Sequence, residues 1–224
     1  MTVKLFRKPV VIVFIGYEGA GKTTHILLTC NKLKEIGIKP YCTYVKTIFL
    51  FTNLFTNLFT KFMPHLWRSL WRLAVSIDLL LNSILLPLVW TVRTLIIPTF
   101  SKKQVVLVEE GLYGSLVDYI HAALILNLWS ITYKALKILF VLFRNVRENG
   151  IVYVWCDPSI LPLRWIKRKS PLEAPSYIFT QIIIFSIITN TLNNILQIDT
   201  TNFDMKHNNE QIIKYIFSLL NSNK

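Results

Sequence analysis

Acidic side chains are scarce in this chain. Only 12 Asp and Glu stand against 25 Lys and Arg, a formal net charge of +13 over 224 residues. That balance argues against cationic partners and for anionic ones: nucleotides, nucleic acid or an anionic membrane. Charge of either sign is thin, at 17% of residues against 53% hydrophobic, which is apolar for a soluble enzyme. Cysteine is limited to Cys30, Cys42 and Cys156, an odd number at no metal-ligand spacing. This argues against a disulfide framework and suits small core residues of a reducing compartment. No stretch rich in Gly, Ser or Pro divides the chain, so residues 1–224 are expected to form one domain.

Uninterrupted apolar runs of about 18 residues, the length a spanning helix needs, are also missing. Leu73 to Pro98 carries Asp78, Pro87 and Arg93, and Leu116 to Phe143 carries Asp118, His121, Lys134 and Lys137. Ile178 to Ile198 has no charge but is interrupted by Gln181, Asn190, Asn193 and Asn194. All three are expected to be buried or interfacial helices. Lys4, Arg7 and Lys8 ahead of Val10–Ile15 have the outline of a signal peptide, yet the motif that follows makes a retained first strand the better reading. A cytoplasmic protein is expected, with peripheral membrane contact and a homodimer left open.

Strand patterns alternate with helical ones, which predicts an α/β fold around a parallel sheet. The strands are expected at Val10–Ile15, Pro40–Val45, Gln104–Glu109, Ile151–Cys156 and Ile195–Asp199. Helices are expected near Lys22–Ile36, Ile48–Phe62, His65–Ile96, Tyr113–Glu148, Ile160–Arg168, Ala174–Asn193 and Asn208–Leu220. Pro87 should break or kink the third. The segment Leu50 to Lys61 repeats Leu-Phe-Thr-Asn nearly three times, aligning Leu50, Leu54 and Leu58 beside Phe51, Phe55 and Phe59 on a greasy helix face.

Directly after the first strand comes Gly16-Tyr17-Glu18-Gly19-Ala20-Gly21-Lys22-Thr23-Thr24, the pattern Gly-x4-Gly-Lys-Ser/Thr of a phosphate-binding loop. Its glycines let the backbone curl so that successive N–H groups point inward. Lys22 reaches outer phosphates, the Thr23 hydroxyl can ligate Mg²⁺, and a helix starting near Lys22 adds its positive end. The stretch Val105 to Ser115 opens with an apolar strand ending in carboxylates, where such folds keep the acid that holds Mg²⁺ or its waters; either Glu109 or Glu110 could serve. Arg164-Trp165-Ile166-Lys167-Arg168-Lys169 is a basic cluster after the fourth strand. Phosphoryl transfer is mostly positioning and charge neutralisation, and the loop itself contains no arginine, so cations on a closing segment would complete it.

These residues resemble the thymidylate kinase family of P-loop nucleoside monophosphate kinases, over about Val10 to Leu220. Gly16–Thr24 is similar to that family's Gly-x-Asp-Gly-x-Gly-Lys-Thr-Thr, and Val105–Ser115 to its strand followed by Asp-Arg-Tyr and a serine. Asp157 to Tyr177, with Arg164, Arg168 and Glu173, is similar to its lid, and Gln197-Ile198-Asp199-Thr200 to its closing strand and base-side loop. The resemblance implies a P-loop NTPase fold with a five-stranded parallel sheet flanked by helices, here with an enlarged apolar helical region at 48–100. It implies ATP and Mg²⁺ as co-substrates and transfer to a nucleoside monophosphate, dTMP in that family. Lys22 would then bridge ATP phosphates, Thr23 ligate magnesium, and Arg164 and Arg168 neutralise charge at transfer.

The departures fall on the acceptor side. Glu18 stands for the family's loop aspartate, Glu110-Gly111 for an Asp-Arg pair and Asp78-Leu79 for another, so two arginines are missing. Three readings follow. One is a nucleotide kinase that uses Lys46, Arg68, Arg72 or Arg93 instead; another is a kinase with an apolar or membrane-borne acceptor; the last is an ATP-binding switch protein. The basic residues are scattered with no stacking motif, so no nucleic-acid module is expected.

Overall fold

The computed structural model describes residues 8–54, 67–144, 148–202 and 204–222. Five parallel strands form one sheet: β1 (Val10–Ile15), β2 (Pro40–Val45), β3 (Val105–Glu110), β4 (Gly150–Trp155) and β5 (Ile195–Asp199), in the order β2-β3-β1-β4-β5. β1 lies at the centre and is buried along its whole length, as a continuous aliphatic run between two helical layers must be. Its C-terminal end therefore meets the ends of β3 and β4, the edge where parallel α/β sheets bind ligands.

The helices are α1 (Lys22–Glu35), α2 (Trp67–Thr91), α3 (Gly111–Leu126), α4 (Trp129–Phe143), α5 (Leu161–Arg168), α6 (Pro175–Thr191) and α7 (Met205–Ser222). Three differ from expectation. The single helix expected over Tyr113–Glu148 is two, because Asn127 adopts the left-handed conformation (φ 53°, ψ 50°) and Leu128 N–H closes on Ala123 O. The first of them starts at Gly111, straight off β3. Pro87 does not end α2; the irregularity falls later, in a π turn at Val92–Ile96 that leads into a last helical turn at Ile97–Phe100 containing Pro98.

The expectation that every apolar stretch falls short of a span is corrected here. Ser69–Phe100 is long and apolar enough to cross a membrane by length and composition, although just over half of its most apolar window is buried in the fold. Leu73, Ile77, Ile84 and Leu88 lie exposed along its outer face. Asp78 is turned inward, where it accepts the backbone N–H groups of Phe51 (3.0 Å) and Thr52 (2.7 Å) and the Thr52 hydroxyl. One turn on, Asn82 clasps Ile48 through its N–H and its C=O. Residues 50–54 are helical, so Asp78 acts as a cap supplied by another helix. Most of the Leu-Phe-Thr-Asn repeat, including Phe55, Leu58 and Phe59, lies outside the described residues.

Asp78→Ala should destabilise the protein by about 2 kcal/mol, as loss of hydrogen bonds to a charged group does. Hydrogen exchange at Phe51 and Thr52 should accelerate. Unchanged protection of both amides would show that Asp78 does not hold this segment.

Candidate functional site

The loop from Gly16 to Thr24 curls over the C-terminal end of β1. Gly16 has φ +147°, and a Cβ there would come within 2.0 Å of Val154 O, so nothing but glycine lets the chain leave β1 beside β4. Four side chains pin the loop, Tyr17 from within it and Gln181, Arg164 and Thr200 from elsewhere. The Tyr17 hydroxyl donates to Cys156 O and accepts Cys156 N–H at 3.0 Å. The Gln181 side-chain carbonyl accepts Glu18 N–H at 3.1 Å. Arg164, buried on α5, donates to Gly19 O (3.1 Å), Ala20 O (3.3 Å), and the Thr200 hydroxyl and carbonyl. Thr200 itself reaches Ala20 O at 2.7 Å.

Those bonds hold three carbonyls, and α1 starts at Lys22 with no side-chain cap, which leaves N–H groups of its first turn for a ligand. Lys22 is buried and lies across the loop, donating to Gly16 O (2.9 Å) and Tyr17 O (3.5 Å). Thr23 is exposed, and its hydroxyl donates to Glu109 at 2.7 Å. A cleft of about 300 Å³ opens here, lined by Glu18, Gly21, Lys22, Thr23, Glu109 and Arg168 among others. The donor set suits a polyphosphate. The hydroxyl–carboxylate pair suits Mg²⁺, which takes few protein ligands beside phosphate oxygens and water. Among the described residues no group of three or more His, Cys, Asp or Glu side chains could hold a metal alone.

Sequence reasoning treats Arg164 and Arg168 alike, and the structure separates them. Arg164 is spent on the loop carbonyls, whereas Arg168 is exposed at the rim of the cleft. A second, smaller cavity of about 30 Å³ lies between the loop and the start of α7, lined by His25, Arg164, Thr200 and Asn208 among others.

On the β2–β3 side the loop faces carboxylates. Glu110 lies 3.6 Å from Lys22 and 3.9 Å from Lys46, and Lys46 is 3.7 Å from Glu18. Burial pushes the Glu110 carboxyl up to about 7, against the pull of both lysines. Glu18 is held below its ordinary value, chiefly by Lys22. Burial works against the Lys46 ammonium, but Glu110, Glu18 and Asp118 outweigh it and hold the lysine protonated above its ordinary value. Glu110 also has φ 70°, ψ −64°, a γ-turn conformation that costs a non-glycine residue roughly 1–3 kcal/mol and clusters at functional sites. Gly111 follows at φ +59°; a Cβ on it would lie 2.7 Å from Trp90, so the indole occupies the space that an arginine there would need.

Of the other cations proposed from sequence, Arg93 donates to Tyr44 O and Arg72 to Asn127 O (3.5 Å), and the Arg68 side chain lies outside the described part. Leu79 is buried in the core. Lys46 alone of these meets the loop's carboxylates among the described residues. Sequence reasoning missed Asp118, Tyr177 and Gln181 as site residues. The available signal was Asp118 as a lone carboxylate in an apolar helix, seven residues after Gly111 and so on the same helical face.

No protein-family profile matches this chain, and no curated protein does. Among solved structures it is similar to thymidylate kinase from Candida albicans, with a TM-score of 0.53 and 14% identity, covering 96% of this chain and 93% of that one. What the two share is the fold, a five-stranded parallel sheet flanked by helices. At that identity the likeness concerns architecture, and the site has to be argued from its own residues.

Glu110 gives a pH test. Its carboxyl keeps a proton in the folded state that it releases when unfolded, so wild-type stability should fall as pH rises from about 4.5 through about 7. Glu110→Gln removes that loss and should be more stable than wild type at pH 8, by on the order of 2 kcal/mol, and equal to it below pH 4.5. A difference independent of pH in urea titrations would mean that burial and the two lysines cancel, and a Gln variant less stable than wild type at pH 8 that the lysines dominate.

Proposed function

We propose that the chain is an ATP-dependent phosphoryl-transfer enzyme, a kinase. The observation that carries this reading is the convergence, at one end of the sheet, of an uncapped helix start, Lys22 and the Thr23–Glu109 pair around one cleft. The loop N–H groups and Lys22 would hold the phosphates, and Thr23 with Glu109 would hold Mg²⁺; Glu110, closer to Lys22, faces the acceptor instead. Bound magnesium supplies neutralisation of charge between the outer phosphates. Arg168 at the rim would close over the transferred group, while Arg164 keeps the loop in shape. The likeness in fold, taken by itself, favours thymidylate as the acceptor.

Lys22→Ala should abolish transfer from labelled ATP while leaving the circular dichroism spectrum and Tm unchanged. Wild-type turnover in that folded variant would end the kinase reading. The two arginines should behave differently. Arg168→Ala should lower kcat at least tenfold with little change in Tm, since neutralisation acts in the transition state. Arg164→Ala should lower Tm, with a loss of about 2 kcal/mol for the loop carbonyls left without their donor, and weaken ATP binding. Equal kinetic and thermal effects of the two substitutions would remove the distinction.

A further inference from the structure

Next to the cleft, and joined to its lining through Glu18, carboxylates and hydroxyls gather around one ammonium. Glu18 and Lys46, each about a third exposed, are the outermost of this group. Beneath them Glu110 is largely buried, and Asp118 and Thr47 are more than nine-tenths buried. Asp118 Oδ1 accepts the Tyr177 hydroxyl at 2.7 Å. The Thr47 hydroxyl approaches Asp118 closely enough to favour its charged form, yet neither Thr47 Oγ1 nor Asp118 Oδ2 makes a hydrogen bond of normal geometry. Two buried polar atoms without a hydrogen bond of normal geometry cost free energy that a ligand's hydroxyl could recover.

A phosphomonoester fits this place poorly. Its two negative charges would meet Glu18 and Glu110, and Lys46 is already shared between those carboxylates. The position after Glu110, where a guanidinium would help, is closed by Trp90. A neutral hydroxyl has the opposite requirements, since it needs an acceptor for its own proton and no countercharge. Accordingly, we propose that the acceptor is an uncharged compound with at least two hydroxyl groups, a nucleoside or another polyol: one hydroxyl is phosphorylated beside Glu110 and another is bound by Asp118 and Thr47.

The inference rests on the kinase reading above. In the step, the acceptor oxygen bonds to the γ-phosphorus of ATP and its proton passes to the Glu110 carboxylate. The bond from that phosphorus to the bridging oxygen breaks, and its electron pair leaves with ADP. Glu110 is faced by Lys22 from α1, Lys46 after β2, Glu18 from the loop, Asp118 from α3 and Tyr177 from α6.

The test uses the full chain with γ-labelled ATP and a panel of nucleosides, non-nucleoside polyols and the matching nucleoside monophosphates, with ATP binding measured separately by calorimetry. The expected result is transfer to nucleosides or to polyols at least 10²-fold faster than to any monophosphate; the two arms distinguish the source of the hydroxyls. Glu110→Gln should lose at least 10²-fold in kcat, the usual contribution of a positioned base, with ATP affinity retained. Asp118→Asn should raise the KM for the acceptor more than it lowers kcat. Efficient phosphorylation of thymidylate with nucleosides and polyols inert would overturn the proposal and leave the kinase reading intact. ATP bound but transferred to neither class would likewise overturn it, and failure to bind ATP would remove both.

Discussion

The contact on which the rest of the site depends is the buried guanidinium of Arg164 against the carbonyls of Gly19, Ala20 and Thr200. A buried cation is costly unless its donors are matched, and here the partners are backbone oxygens of the loop itself. Tyr17 against Cys156 and Gln181 against Glu18 fix the same loop from β4 and α6. The cradle is thus preorganised by three elements distant in sequence, and a ligand need not reorganise it on binding.

The second constraint is the crowding of Glu18, Glu110 and Asp118 around Lys46 and Lys22 in a chain otherwise short of acid. Burial decides which of these groups stays ionised: Glu110 is displaced upward and Glu18 downward, although they share the same lysines. Carboxylates pushed apart in this way take different roles at neutral pH. The strained turn at Glu110 shows how firmly the surrounding packing holds that carboxyl beside the loop.

The apolar excess of the composition goes mainly into α2 and its neighbours. α2 has one buried face that carries Asp78 and Asn82 as inward-facing clasps for residues 48–52, and one outer face of exposed aliphatic side chains. Its length comes from tolerance of Pro87 and from a π turn that takes up the misfit ahead of Pro98. The same helix supplies Trp90, so the element that makes the chain unusually apolar also closes the space beside Gly111.

Period and punctuation made much of the fold legible. β1, β2 and β5 have the predicted bounds, since each is a short run ended by turn residues, and α1 begins at Lys22 as the loop pattern requires. The break at Asn127 escaped notice because a left-handed asparagine leaves no mark on an apolar pattern. The loop residues were legible because their spacing is local: the backbone path alone demands those glycines and that lysine. The roles of Arg164 and Arg168, the closure of the Gly111 position by Trp90 and the joining of Asp118, Thr47 and Tyr177 were not. They depend on side chains from β2, β3, α2, α3, α5 and α6 meeting at the sheet's C-terminal edge. Hydrophobic period fixes which face of each element is buried, but only packing of the elements sets which polar groups meet beneath the surface, and with them the charge each one carries.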